Sequence, residues 1–315
     1  MKFSFKKAIV FGANGLVGNS IVRKFKNSNY IEEVISSKRN EVNLFNYKET
    51  KEFINNIQPD LVVNAAARVG GIFANNKYRS QFLIENLKIN INILESLIEF
   101  ENCRIVNLGS SCIYPLDAKN PITEDSIFTG KLEPTNSPYA IAKLAAIELA
   151  DSMRIQYGHN ILNLMPTNLY GPYDNFSEKD SHVIPGMMRR MHIANLNKEK
   201  IFKIWGSGTP KREFLHVDDL SDAVEFLITN DHEYDLLNVG SGEEVTILEL
   251  ANLLKKTIGY EGMIENDNSM PDGNPRKFID STKINNLGWY PKIKLEQGLM
   301  STYKWFEVNN NKIRD

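Results

Sequence analysis

The sequence predicts an α/β protein in which a doubly wound parallel sheet is followed by a smaller C-terminal α/β domain. Three observations predict it. A glycine-rich turn, Gly12-Ala13-Asn14-Gly15-Leu16-Val17-Gly18, stands between an opening apolar run and a helical segment. Strand-like and helix-like segments then alternate as far as Met165, as a parallel sheet with crossover helices requires. After Pro166-Thr167-Asn168-Leu169-Tyr170-Gly171-Pro172 the loops lengthen and the strands shorten. The expected division is 1–170 for a dinucleotide-binding domain of Rossmann type and 171–315 for a substrate domain, with about 212–240 as a candidate to return to the first.

Lys7-Ala8-Ile9-Val10-Phe11 reads as a buried strand, and the glycine turn leads from it into a helix reaching about Lys26. Glycines three apart permit a tight turn, close approach of backbone to a pyrophosphate and close helix–strand packing. The helix N-terminus then offers unpaired N–H groups to phosphates. The second strand, 33–37, runs into Ser36-Ser37-Lys38-Arg39 and carries no acid at its end. An acid there would hold the ribose hydroxyls of NAD, whereas basic residues accommodate a 2′-phosphate. NADP is therefore expected, with Arg39 reading the phosphate. Asn46-Tyr47-Lys48-Glu49 has the spacing of a capping box and opens the next helix. Residues 60–66 form the third strand, 68–76 a flexible polar loop at its carboxyl edge, and 78–100 a long helix. Phe82, Ile89, Ile93 and Leu97 recur on that helix at core spacing.

The stretch with most chemistry runs from Arg104 to Lys143. A strand-like run, Arg104-Ile105-Val106-Asn107-Leu108, is followed at once by Gly109-Ser110-Ser111-Cys112. Such a strand end delivers side chains to the edge where open α/β sheets bind ligands. Tyr139 and Lys143 lie four apart in a helical segment, 139–153, and so share one face. A phenol beside an ammonium is expected to ionise below its ordinary value of about 10. It would then exchange a proton with a carbonyl that Ser110 also holds. Tyr-x-x-x-Lys alone is common by chance; its place behind a Ser-Ser turn and a nucleotide fingerprint gives it meaning. Cys103 reads as a small buried hydrophobe, whereas Cys112 stands at the strand end.

In the second half, short strands are expected at 201–205, 236–239 and 263–265, and helices at 246–258 and 295–308. Composition narrows the class of protein. With 42% hydrophobic and 24% charged residues the chain is ordinary for a globular protein, and its net charge of -2 offers no field for nucleic acid or membranes. Two cysteines suit a reducing compartment, no apolar run approaches a membrane span, and the start does not read as a signal peptide. The expected location is the cytoplasm, without membrane or nucleic-acid partners and without a metal.

Longer motifs carry a resemblance. They include Ala65-Ala66-Ala67-Arg68-Val69-Gly70-Gly71-Ile72, Gly109-Ser110-Ser111-Cys112-Ile113-Tyr114-Pro115 and Glu133-Pro134-Thr135-Asn136-Ser137-Pro138-Tyr139. Ser181-His182-Val183-Ile184-Pro185, Trp205-Gly206-Ser207-Gly208-Thr209-Pro210, 212–219 and Pro271-Asp272-Gly273-Asn274-Pro275-Arg276-Lys277 continue it. With them the chain resembles the extended short-chain dehydrogenase/reductases, and within these the GDP-L-fucose synthase family, over nearly its whole length. The resemblance implies an NADPH-dependent 3,5-epimerase and 4-reductase of GDP-4-keto-6-deoxymannose, acting as a homodimer. It assigns Ser110, Tyr139 and Lys143 to the reductase centre and Cys112 with His182 to the epimerase pair. It implies cofactor contacts from the glycine turn, Arg39, Asn43, Leu44, Ala65, Leu108, Gly109, Ser110, Lys143, Pro166, Thr167, Asn168, Leu169 and His182. Sugar-nucleotide contacts fall to Arg190, Trp205, Arg212 and Asp272. The chain departs from the family's pattern at Asn14, where some members carry arginine, and at Met263, where a basic residue can occur.

The chemistry implied is coherent. A 4-keto sugar acidifies the C–H bonds on both neighbouring carbons, and a thiol with an imidazole can exchange those protons near neutrality. Three rival functions remain at this point. A 4-epimerase or 4,6-dehydratase on this fold would recycle bound NAD, and a dehydratase would want acidic and basic residues where Ser111-Cys112 stand. A reductase of a related GDP-4-keto dideoxy-hexose or heptose would have epimerisation reduced or lost. A non-catalytic NADP-binding regulator would have no use for all five catalytic candidates.

Overall fold

The computed structural model describes residues 2–178, 180–270 and 272–310; Pro271 of the last resemblance motif lies outside them. The first half runs β1 (Phe5–Phe11), α1 (Leu16–Lys26), β2 (Ile31–Ser36), α2 (Tyr47–Ile57), β3 (Leu61–Asn64), α3 (Ile72–Lys77), α4 (Arg79–Ser96), β4 (Arg104–Leu108), α5 (Ser137–Tyr157) and β5 (Ile161–Pro166). After it come β6 (Asn168–Tyr170), α6 (Val183–Leu196), β7 (Ile201–Trp205), β8 (Lys211–His216), α7 (Val217–Thr229) and β9 (Leu236–Val239). The chain closes with β10 (Glu244–Thr246), α8 (Ile247–Ile258), β11 (Met263–Asp267), β12 (Arg276–Lys277), α9 (Thr282–Asn286) and α10 (Leu295–Asn309).

Six strands make one parallel sheet in the order β2-β1-β3-β4-β5-β9. The chain leaves β1 towards β2 on one side and returns to β3 on the other. The crevice between the ends of β1 and β3 is therefore the topological switch point, where such sheets bind ligands. Alternation along the strands splits the apolar residues between two faces. Val10, Val63, Val106 and Leu164 pack with Ile21 and Phe25 of α1 and Val224 and Leu227 of α7. Ile9, Val62, Ile105 and Ile161 pack with Ile93 of α4 and Ala150 of α5 on the opposite face. A separate core joins Met187, Met188 and Met191 of α6 to Leu250 and Leu254 of α8 and Phe306 of α10.

Two small sheets shape the second half. β8 carries β10 antiparallel on one side and β12 parallel on the other, and β6 also pairs with it. β7 pairs with β11. One local expectation needs correction, and two helices add to the expected set. Residues 72–77 of the expected polar loop form α3, because Asn75 donates from Nδ2 to the carbonyls of Gly70 (2.7 Å) and Gly71 (3.1 Å) and closes the turn. Helices α6 and α7 were not expected. In α6, Pro185 and Gly186 weaken the helical signal, and the methionine core holds the helix instead. α7 has acidic residues Asp218 and Asp219 in its first turn and an N-cap, His216, whose Nδ1 accepts from the Asp218 amide.

Candidate active site

The turn after β1 has the form a dinucleotide requires. Gly12 lies at φ +78°, and a Cβ there would come within 2.6 Å of the Ala65 carbonyl oxygen at the end of β3. A Cβ on Gly18 would fall 2.2 Å from the Gly12 carbonyl oxygen, so α1 rests directly on the turn. Gly15 caps α1 without a side-chain bond, and the first turn contains no acid. The leading N–H groups of α1 thus face an open cradle, fit for a diphosphate. Ala13 is buried, Asn14 is exposed, and Leu16 and Val17 are half-buried beside them. Arg39 is exposed just past β2. Asn43 accepts from the Phe45 amide through Oδ1 (3.1 Å), and Leu44 packs under α2 with its carbonyl taken by Asn92.

At the end of β4 the Gly109 amide donates to Leu164 O (2.8 Å), and a Cβ on Gly109 would strike the Met165 side chain at 2.3 Å. Ser110 follows, and its Oγ accepts from the Cys112 amide at 3.3 Å, tying the two residues into one short turn. Tyr139 lies in the first turn of α5, its ring set edge-on against Phe82. One helical turn on, Lys143 is buried and donates from Nζ to Leu108 O at 2.6 Å. The ammonium lies 5.8 Å from the centre of the Tyr139 ring. Ser110, Cys112, Tyr139 and Lys143 are thereby gathered at the carboxyl end of β4.

The expected lowering of the Tyr139 pKa does not occur. Burial pushes the phenol above its ordinary value, and the Cys112 charge adds to the rise. The same burial lowers Lys143 to about 8, so the ammonium meant to favour phenolate has its own charge discouraged. For Cys112, burial raises the thiol while Lys277, the Ser110 hydroxyl and Lys143 each offset part of the rise. His182 is the N-cap residue of α6, yet its side chain makes no capping bond. The residue is exposed, yet the protein around it lowers the imidazole pKa by desolvation. The segment before it is fixed against the loop after β3: the Gly71 amide donates to Asp180 O at 2.9 Å, and a Cβ on Gly71 would lie 2.5 Å from Ser181 O.

The remaining predicted residues divide into supports and liners. Thr167 and Asn168 direct their side chains to the Glu213 carbonyl, at 3.2 and 2.9 Å, while Pro166 and Leu169 belong to β5 and β6. Arg190 is stacked on Phe202 and Trp205, its guanidinium carbon 5.2 and 5.4 Å from the two rings. Trp205 is 56% exposed and so is not core. Asp272 is exposed and accepts from the Ser207 amide (2.8 Å) and hydroxyl (2.7 Å), closing the turn that follows Trp205. Arg212 is half-buried, and desolvation lowers its pKa. Glu213 is fully buried and accepts from the Gly242 and Ile279 amides (2.9 and 3.3 Å). Cys103 is buried, and desolvation pushes its thiol up to about 12. Sequence reasoning left Lys277 and Glu133 without roles. Lys277 is half-buried where the charges of Cys112, Arg212 and Glu133 all reach it. Its place in the Asn274-Pro275-Arg276-Lys277 motif was the available signal.

The model of the NAD dependent epimerase/dehydratase family matches residues 8–240. GDP-L-fucose synthase 1 of Arabidopsis thaliana is 46% identical over 303 residues, covering 96% of this chain and 94% of its own length. GDP-L-fucose synthase of Escherichia coli K12 is 44% identical over 320 residues and covers 99% of both chains. Among solved structures, a GDP-L-fucose synthetase from Naegleria fowleri bound to NADP superposes with a TM-score of 0.91 at 27% identity, over 98% of this chain and 95% of that one. The chain belongs to the GDP-L-fucose synthase family, within the NAD dependent epimerase/dehydratases.

Proposed function

We propose that this protein converts GDP-4-keto-6-deoxy-D-mannose to GDP-L-fucose, inverting C3 and C5 and then reducing C4. It is an NADP-dependent oxidoreductase with isomerase activity. The observation that carries the reading is the turn after β4, where Ser110 and Cys112 are tied together beside Tyr139 and Lys143. A thiol has no task in a simple carbonyl reductase, but an epimerase of a keto sugar needs a base at that position.

Cys112 takes the proton from the carbon beside the carbonyl, and His182 returns one from the opposite face. Ser110 and Tyr139 hold the carbonyl oxygen, which carries negative charge both as enolate and after reduction. NADPH, when bound, supplies the hydride received at C4. Tyr139 gives the oxygen its proton, and a raised pKa keeps that proton on the phenol until the oxygen needs it. Lys143 sets the charge beneath the tyrosine. The glycine turn and α1 hold the cofactor diphosphate, and Arg39 holds the 2′-phosphate. Arg190, Trp205, Arg212 and Asp272 line the approach for the GDP moiety, across a division near residue 170; of the 212–240 stretch, α7 and β9 pack with the first domain while β8 stays in the second.

The exposed face of the α4–α5 pair supports a homodimer. Ile84 and Ile91 of α4 and Ile141 of α5 are exposed there, and an apolar groove lined by Phe128, Leu132 and Ile141 continues the face. Light scattering should return twice the chain mass, and Ile91→Glu should halve it. Two free cysteines and the absence, among the described residues, of any helix able to cross a membrane fit the cytoplasm. The function is tested with a panel of GDP-4-keto sugars, scoring product stereochemistry by NMR and NADPH loss by absorbance. Reduction of a keto heptose or dideoxy-hexose without inversion, in preference to the 6-deoxymannose compound, would replace the present reading.

A further inference from the structure

We propose that Lys277 is the positioning cation of Cys112, its ammonium favouring the thiolate that takes the sugar proton. The proposal rests on Cys112 being the epimerase base. Lys277 ends β12 directly opposite Arg212 of β8. Beyond it the chain runs on beside residues 120–122. The Ile122 amide donates to Phe278 O, the Asp280 amide to Ile122 O (both 2.8 Å), and the Phe278 amide to Asn120 Oδ1 (2.7 Å). In extended chain, residues two apart point to the same side. Ile279 is buried in one apolar cluster with Ile113 and Ile122, and Ile113 adjoins Cys112. Two residues earlier, Lys277 projects from the same side, towards the turn that holds Cys112, and the charges of the two groups reach each other.

The surrounding charges leave Lys277 this role. Cys112 is faced by Lys277 from β12, by Lys143 and Tyr139 from α5, and by Ser110 in its own turn. Lys143 is committed to the Leu108 carbonyl. Lys277 is faced by Cys112, by Arg212 from β8 and by Glu133 ahead of α5. Glu133 is itself engaged, accepting from the amides of Thr135 and Asn136 (both 3.1 Å) and from the Thr135 hydroxyl (2.6 Å). Among the described residues, no side-chain hydrogen bond or ion pair occupies the Lys277 ammonium. A half-buried ammonium without a fixed partner is costly. An anion forming at Cys112, within reach of the ammonium's charge, offsets that cost, and the ammonium in turn stabilises the anion.

The test titrates the thiol directly. Full-length protein with NADPH bound and no sugar is alkylated with iodoacetamide, a neutral reagent, from pH 6 to 10. Cys103 stays silent at about 12, and Cys112→Ser supplies the blank. Lys277→Met should move the alkylation midpoint up by about one unit, slowing reaction near pH 7 about tenfold, and Lys277→Arg should keep the wild-type profile. Lys277→Gln gives the same reading if the methionine variant does not fold. A wild-type profile in the Met or Gln variant, or an Arg variant shifted as far as Met, overturns the proposal. The two ideas fail separately. If Cys112→Ser still yields inverted sugar, the base assignment falls; if inversion is lost there but the Lys277 profiles coincide, only the role of Lys277 falls.

Discussion

Replacing Cys112 by serine keeps the site's shape and tests the acid–base role proposed for the thiol. The residue is 8% exposed in a tight turn, and serine fits that space with a slightly smaller atom. A thiol titrates near 8.5 and a hydroxyl near that of water, about 15.7, so the gap is about seven units. The alkoxide is correspondingly scarcer, but it is also the stronger base. With a Brønsted slope of about 0.5, roughly half the gap survives as lost rate. Proton abstraction should therefore slow by about 10³- to 10⁴-fold, or about 4–5 kcal/mol of barrier. Ser110, Tyr139 and Lys143 keep their places, because the bond from the Cys112 amide to Ser110 Oγ is a backbone bond. Reduction of uninverted keto sugar should persist. The assay follows NADPH absorbance and deuterium incorporation at C3 and C5 in D₂O. A variant that forms fully inverted, doubly deuterated product at the wild-type rate would refute Cys112 as the base.

Four further outcomes follow from the same geometry. Tyr139→Phe should abolish NADPH oxidation yet leave deuterium exchange beside the carbonyl measurable; near-normal reduction would remove Tyr139 as donor. Arg39→Ala should raise the KM for NADPH about tenfold or more and leave that for NADH nearly unchanged, and equal losses would disconnect Arg39 from the 2′-phosphate. Gly18→Ala places a methyl 2.2 Å from a backbone oxygen, so α1 must move; stability should fall by about 1–3 kcal/mol, and NADPH should bind at least tenfold more weakly in a fluorescence titration. Lys143 titrates at about 8, lowered by burial. Its charge is present below that pH and lost above it, so kcat for reduction should fall as pH rises through about 8, and Lys143→Arg should move that fall upward.

The central sheet was legible because its signals are local. β4 and β9 coincide with the apolar runs at 104–108 and 236–239, and α1 starts from its glycines. Asn46 caps α2 as its spacing implied, accepting from the Glu49 amide at 3.3 Å. What local signals could not supply was tertiary. Helix α6 contains a proline and a glycine near its start and is held by methionines that meet α8 and α10. α3 depends on one asparagine reaching back to two carbonyls. α7, by contrast, was readable: Asp218 and Asp219 sit in its first turn, and Leu220, Val224 and Leu227 repeat at helical spacing.

The gathering of Ser110, Cys112, Tyr139 and Lys143 at one strand end was legible in the sequence, and their electrostatics were not. The spacing of Tyr139 and Lys143 places them on one face, but spacing carries no information about desolvation. Burial reverses the expected shift on Tyr139 and weakens the charge of Lys143. The same cause lowers Arg190, Arg212, Lys277 and His182 and raises Cys112. In every case the neutral form gains, as a cleft walled by protein demands. The ligands proposed for this cleft are diphosphates, which bring negative charge among these cations. A bound diphosphate favours the charged forms of these cations and so opposes the desolvation around them. Glu213 fixes the frame for this. It is one buried carboxylate that holds the 240–242 loop and the chain after Lys277, while its own carbonyl receives Thr167 and Asn168. Through it the strand bearing Arg212, the chain bearing Lys277 and the edge of the cofactor crevice share a single anchor.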